Sequence, residues 1–174
     1  MSGHAPAMNM TVQFDPESNT DSNSEEEEAP AAAALPPRMQ QDISQWCTCG
    51  NCAKMPTEPE NICCWETQQV KRRMEQLPDN ISCMIEHPGL DPVCLNLFTM
   101  QNAYNVYRAE YGALHQRAIE RQYRYLAYRS FVSWCWGFLG RRIRVVIPAC
   151  VVLRIRREFP DALASYEGFR PPLH

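Results

Sequence analysis

Trp46-Cys47-Thr48-Cys49-Gly50-Asn51-Cys52, followed by Cys63-Cys64 and then Cys83, puts six thiols inside a short, proline-punctuated stretch. A Cys-x-Cys-x-x-Cys cluster is too tight for most disulfides within itself. Adjacent cysteines rarely bridge each other, because bridged Cα atoms lie about 4.4–6.8 Å apart with converging Cβ atoms. The same spacing suits a soft tetrahedral cation. Zinc takes four thiolates at about 2.3 Å, and ligands two or three residues apart reach it from a turned knuckle. Gly50 stands where such a knuckle needs a permissive backbone. The stretch predicts a metal-folded module.

Counting ligands extends the reading to the far end of the chain. Six thiols exceed one tetrahedral site, and two separate sites would need eight. Two zinc ions sharing one bridging thiolate need seven, and Cys150, isolated after Pro148, is the natural seventh. The candidate ligands are thus Cys47, Cys49, Cys52, Cys63, Cys64, Cys83 and Cys150. Turn-forming neighbours argue against a core role for the first five, whereas for Cys83 and Cys150 a plain buried thiol is the alternative. Cys94 and Cys135 fall within helical patterns and read as small buried hydrophobes. His87 before Pro88 could replace a thiol, but a turn histidine is the preferred reading. No Ser-His-Asp set, HExxH, glycine-rich phosphate loop or pair of carboxylates stands out, so no enzyme is expected.

Outward from the knuckle, charge divides the chain. Before Trp46 there are eight acidic residues and one arginine; from Trp46 onward there are 12 acidic and 16 basic residues. Residues 1–45, with the block Glu25-Glu26-Glu27-Glu28, are expected to be a disordered acidic tail, because such a composition buries too little apolar area to offset ordering entropy. Residues 46–174 are expected to form one small zinc-stabilised domain. Nine cysteines, an odd number, with no export signal at Met1 favour metal or free thiols in a reducing, intracellular setting, the cytoplasm with the nucleus as the alternative. No apolar run approaches the length of a membrane span.

The fold class expected is mainly α with irregular zinc-knuckle segments. Glu66–Gln76 is helix-prone but polar, and reads as a solvent-facing insertion between ligands. Amphipathic spacing predicts helices over Val93–Arg108 and Leu114–Trp136, the second carrying Arg117, Arg121, Arg124 and Arg129 on one stripe. Arg141–Ile147 reads as extended, Val151–Phe159 as a short basic helix, and Tyr166 and Phe169 as pins for the C-terminal tail.

Seven motifs occur in one order: W-C-T-C-G-N-C, I-C-C-W, S-C-M-I, R-Y-L-A-Y-R-S-F-V-S-W, I-P-A-C, L-R-I-R-R-E-F-P and Y-E-G-F-R-P-P. Together they resemble the cytoplasmic C-terminal ballast domain of the subtype-seven ATP-gated purinergic receptors and the standalone proteins that carry it. The resemblance covers Trp46 to the C-terminus and leaves the tail before it uncovered. It implies a compact, mainly helical fold with a dinuclear zinc centre, two ions per chain, on the seven cysteines already counted. It also implies a guanine-nucleotide site, for GDP or GTP, at Arg124, Tyr125, Tyr128, Val145, Val146 and Ile147. Three positions depart from the family pattern: Tyr125 stands for a histidine, Asp161 for a lysine and Val151 for a second cysteine. The first two remove positive charge from the neighbourhood of a polyphosphate.

Two functions compete. The leading one is a non-enzymatic zinc-binding module serving as a protein-interaction or regulatory domain for an unknown protein partner, with the arginine-rich face of the helices as its surface. The alternative is a zinc-dependent nucleic-acid-binding protein, since ten arginines between Arg117 and Arg157 are interleaved with tyrosines and tryptophans. Association of Arg154, Arg156 and Arg157 with an anionic membrane is a further option.

Overall fold

A computed structural model describes residues 34–114, 118–140 and 142–172, and the part from Leu35 onward forms one unit. The architecture is mainly helical, with no strand among the described residues. Four α-helices carry it: α1 (Gln68–Glu75), α2 (Leu97–Tyr111), α3 (Ile119–Trp136) and α4 (Ala149–Glu158). Among the described residues, four single 3₁₀ turns precede α1, a fifth at Met84–Glu86 follows it, and a π-helical turn at Asp91–Leu95 lies ahead of α2.

Local chemistry sets most boundaries. Pro92 opens the π turn, and Asn96 Oδ1 then accepts from the N–H groups of Phe98 and Thr99, so α2 begins at Leu97 rather than Val93. Gly112 (φ +82°) ends α2 and Gly137 (φ +78°) ends α3, each in a conformation that side chains rarely adopt. α3 starts at Ile119, leaving Leu114 outside it; His115 and Arg117 lie outside the described residues. α4 starts at Ala149, two residues ahead of the expected Val151, because Pro148 is preorganised to precede a first turn. Residues 142–147 have no regular secondary structure.

The core is rich in sulfur and thin in aromatics. Val70, Met74, Met84, Leu90, Met100, Leu126, Phe131, Val151 and Ile155 are buried around the cysteines. α1 corrects its expected role as a solvent-facing insertion. Val70 and Met74, one turn apart, are buried while Lys71 and Glu75 pair on the outer side at 3.7 Å. A helix of eight residues needs only two buried side chains to be held by packing, too few to register as a periodic pattern.

The ordered chain also begins before Trp46. Turns at Arg38–Gln40 and Ile43–Gln45 lead into the knuckle, the second closed by a capping box between Asp42 and Gln45. The Arg38 guanidinium grips Glu66 through both of its terminal nitrogens and also donates to the Asn61 carbonyl at 3.1 Å. Disorder through residue 45 therefore fails for its last stretch: one arginine with three acceptors anchors a segment whose composition alone is tail-like. Residues 1–33 lie outside the described part.

α1 and α3 are joined by a polar clasp. Arg73 Nε and Nη2 donate to the Trp134 carbonyl at 3.1 and 2.7 Å, satisfying an orphan acceptor in the last turn of α3. His87 Nε2 stands 3.1 Å from the Arg73 carbonyl, and its Nδ1 accepts from the Gly89 N–H at 2.9 Å. That makes His87 the neutral turn histidine the sequence suggested, not a ligand. Its ring meets Trp134 edge-on at 4.9 Å, and a Cβ on Gly89 would lie 2.8 Å from the Trp134 indole.

Gly89→Ala should therefore destabilise the fold by about 1–3 kcal/mol in urea unfolding, and Trp134→Leu in the same background should recover part of that loss. Burial lowers the His87 pKa, so between its folded value and the ordinary value of about 6.5 the unfolded state binds the extra proton. Stability from this group is full above that range and falls as the pH drops through it. The acid slope of the melting temperature should be shallower in His87→Gln than in the wild type.

Candidate metal centre

Four separate elements bring sulfur to one place. The first knuckle leaves the Ile43–Gln45 turn with the Cys47 N–H donating to the Ile43 carbonyl at 2.8 Å. Gly50 (φ +79°) then turns the chain, and Asn51 N–H points back at Cys49 Sγ at 3.4 Å. Cys63 and Cys64 open a 3₁₀ turn, and Cys83 opens another. Cys150 is the second residue of α4, whose first N–H, from Ala149, donates to the Ile62 carbonyl at 2.9 Å and seats the helix beside the cysteine pair.

The seven candidate sulfurs fall into two overlapping quartets. Cys47, Cys49, Cys52 and Cys63 form one, and Cys49, Cys64, Cys83 and Cys150 the other; within each, all ligand atoms lie within 4.8 Å of one another. Cys49 belongs to both. The Cys47–Cys49 and Cys49–Cys52 sulfur separations are 3.7 and 3.8 Å. A tetrahedron of thiolates about 2.3 Å from a zinc ion has sulfur–sulfur edges of about 3.8 Å. The spacing and the all-thiol donor set thus fit zinc, and either quartet could hold a metal ion. The second quartet is wholly buried, whereas Cys47 and Cys52 at the edge of the first are partly exposed. All nine cysteines are free thiols, and Cys94 is a fully buried core residue as expected.

The electrostatics explain why the cluster calls for a cation. Cys52 is drawn down to about 6 and Cys83 to about 2, each chiefly because the Cys150 thiol donates to it. Cys150 is in turn pushed far up by its crowding against Cys52, Cys64 and Cys83, and Cys49 is pushed up by burial. Cys64, which Cys150 pulls down, is raised past its ordinary value to about 12 by the Cys83 sulfur and by burial. Some members hold charge only because others keep their protons. A divalent cation removes that conflict by replacing the protons.

Backbone N–H groups supply the remaining stabilisation. Those of Met84 and Ile85, at the head of the second 3₁₀ turn, point at Cys64 and Cys83, and the Cys150 N–H, at the start of α4, points at Cys52. Sulfur thus sits where helical termini present unsatisfied donors and a positive dipole end. Two glutamates complete the turns. Glu66 accepts from the Cys63 N–H at 2.8 Å, and Glu86 from the N–H groups of Ser82 at 2.8 Å and Cys83 at 3.3 Å. The sequence reading missed both, although Cys63-x-x-Glu66 and Cys83-x-x-Glu86 repeat the capping-box spacing with cysteine at the cap.

The nucleotide candidates are not gathered in the same way. Arg124 is buried, with Nη1 donating to the Phe159 carbonyl at 2.6 Å and Nη2 to Asp161 at 3.4 Å. Tyr128 lies on the same flank, its hydroxyl raised by burial and hydrogen-bonded to Arg156. Tyr125 is on the other flank, edge-on to Tyr107 of α2 at 5.8 Å and under Arg129. Val145, Val146 and Ile147 are half-buried in the approach to α4. The carboxylate of Asp161 occupies the guanidinium that a phosphate would use.

The shared position separates the cysteines by consequence. With an ion in each quartet, Cys49→Ser would lose both ions and the soluble fold, Cys47→Ser at the exposed edge would reduce metal content with the fold retained, and Cys94→Ser would keep full metal content and cost only about 1–3 kcal/mol. Elemental analysis and circular dichroism of the three purified variants read this out.

The model of the P2X purinoreceptor 7 intracellular domain matches residues 3–170. The match thus begins well before Trp46, where the resemblance read from the motifs had stopped. P2X purinoceptor 7 of Rattus norvegicus is 29% identical over 133 residues, covering 76% of this chain and 21% of the rat protein. The Mus musculus protein of the same name is 27% identical over 136 residues, covering 75% of this chain and 21% of the relative. The chain therefore spans about a fifth of the length of these relatives. With the match running over nearly all of its length, the chain belongs to the P2X purinoreceptor 7 intracellular domain family.

Proposed function

We propose that this chain is a non-enzymatic, intracellular zinc-binding module that holds two zinc ions on seven cysteines and serves as a regulatory or protein-interaction domain. The observation that carries the proposal is the pair of sulfur quartets overlapping at Cys49. With Cys49 bridging, Cys47, Cys52 and Cys63 would complete one ion, and Cys64, Cys83 and Cys150 the other. The ions would supply no chemistry to a substrate: each has four protein ligands and no open position, the coordination of a structural site. Their work would be mechanical, clamping the first residues of α4 to a knuckle roughly a hundred residues upstream, a closure that the chain alone makes at a large entropic cost.

The size of that contribution sets the expected behaviour. Structural zinc supplies about 10–16 kcal/mol of apparent binding free energy. A domain of this class has about 5–15 kcal/mol of net stability. The helices bury few large side chains, so the metal would decide whether the fold exists.

The arginine stripe supports a structural rather than a nucleic-acid role. Arg121 pairs with Glu167, Arg124 with Asp161, and Arg129 lies over Tyr107 and Tyr111 at 5.1 Å from each ring. These three arginines of α3, which the alternative would spend on phosphates and bases, are engaged within the fold. Guanine-nucleotide binding at Arg124 would likewise have to displace Asp161. No described helix is long and apolar enough to cross a membrane.

Native mass spectrometry of protein purified without added metal should show two zinc ions per chain and no retained nucleotide. Stripping with a strong chelator should abolish the helical circular-dichroism signal, and zinc should restore it. One ion per chain, or a metal-free chain that stays folded, would overturn the proposal.

A further inference from the structure

From Arg121 to Arg157 the chain contains nine arginines and no aspartate or glutamate. The fold sorts them. Arg121, Arg124 and Arg154 reach carboxylates of Glu167, Asp161 and Glu158, Arg129 stacks on tyrosines, and Arg156 lies 4.8 Å above the Tyr166 ring. Among the described arginines of this stretch, Arg157, Arg142 and Arg144 are left. In the loop joining α3 to α4, whose sequence is Gly137-Phe138-Leu139-Gly140-Arg141-Arg142-Ile143-Arg144, Arg142 and Arg144 are exposed, and Arg141 lies outside the described residues. Arg144 donates to the Arg170 carbonyl at 3.3 Å, and neither arginine has a carboxylate partner among the described residues.

The same loop holds apolar side chains that the fold leaves in water. Phe138 is 80% exposed and Ile143 59% exposed. Gly137 and Gly140, both at positive φ, bracket Phe138-Leu139 and turn it away from α3. Exposed large apolar side chains beside unpaired arginines call for a partner that is oily at one depth and anionic just above it. A bilayer with acidic headgroups has that layering: rings and branched chains enter the acyl boundary while guanidinium heads stay at the phosphates. A nucleic acid would use the arginines but leave Leu139 and Ile143 without a stacking face.

We propose that the 137–144 loop is a peripheral attachment site for an anionic lipid bilayer, with Phe138 and Ile143 entering the headgroup boundary and Arg142 and Arg144 on lipid phosphates. Two apolar residues and a few arginines make a weak, reversible and salt-sensitive contact, not an anchor. The proposal is independent of the metal assignment and uses none of the cysteines.

Co-sedimentation of the full chain as purified tests it, with vesicles of phosphatidylcholine alone or with about 30% phosphatidylserine. The protein should partition onto the anionic vesicles only, and lose them as salt rises from about 0.05 to 0.5 M. Each arginine contributes about fivefold, so R142Q/R144Q should weaken binding about 25-fold. Phe138→Ser with Ile143→Ser should weaken it by about tenfold or more at unchanged salt dependence. Arg154→Gln, which removes an arginine already paired on α4, should leave partition within about twofold. Unchanged circular dichroism and zinc content in the loop variants exclude misfolding as the cause. Equal binding to neutral vesicles, no binding to either, loop variants that partition like the wild type, or loop-dependent binding of single-stranded RNA without vesicle binding would each overturn the proposal.

Discussion

Seven sulfur atoms that must sit together in a reduced protein are the constraint on which the rest of this fold depends. Thiols packed this closely cannot all ionise, because like charges in a buried site oppose one another, and they gain little by remaining neutral. Each element that delivers a cysteine also delivers N–H donors: the Gly50 knuckle, the two 3₁₀ turns and the first turn of α4. Irregular backbone is what this purpose requires. A long helix spends its N–H groups on itself, whereas the head of a turn leaves them free for sulfur.

The remainder of the chain is built to hold those turns still. Glu66 and Glu86 brace the two turns from below, and Arg38 braces Glu66 from a segment outside the knuckle. α1 and α3 are then tied by Arg73, His87 and Trp134 at the opposite end of α1. The apolar core between them is made largely of methionine, leucine and cysteine, side chains that fill irregular space without dictating a helix-packing angle. Such a core is adaptable and weakly specifying, in keeping with a fold whose geometry the proposed metal centre would fix.

Charge is used inward as much as outward. The stripe of arginines on α3 reads in sequence as a surface for partners, yet Asp161, Glu167 and three tyrosines absorb it. Asp161 has a physical role here: its carboxylate beside Arg124 neutralises the buried guanidinium from within. Among the described residues, Arg142 and Arg144 lack such a carboxylate where the chain leaves α3, next to the exposed side chains of Phe138 and Ile143.

Several features were legible before any coordinates. Spacing of the first six cysteines and the isolation of Cys150 marked out sulfurs that the fold gathers into two quartets able to hold a metal ion, and short-range turn chemistry is written in short-range sequence. Helix α2 and the body of α3 were likewise visible as apolar periodicity, and the neutral role of His87 as a turn. Boundaries fared worse where a proline, an asparagine cap or one long-range arginine decided them, as at Leu97 and in residues 35–45.

The amino-acid sequence by itself determined the family, the mainly helical class and which cysteines are candidates for a metal, because these rest on residue type and local spacing. Only the tertiary structure decided that Cys49 is the member common to both quartets, that α1 is part of the core, and that Arg121, Arg124 and Arg129 of α3 find partners within the fold. Each of those depends on which groups from distant segments arrive at the same point. Sulfur–sulfur edges, buried pairs and ion pairs form across the fold, and no periodicity along the chain encodes them.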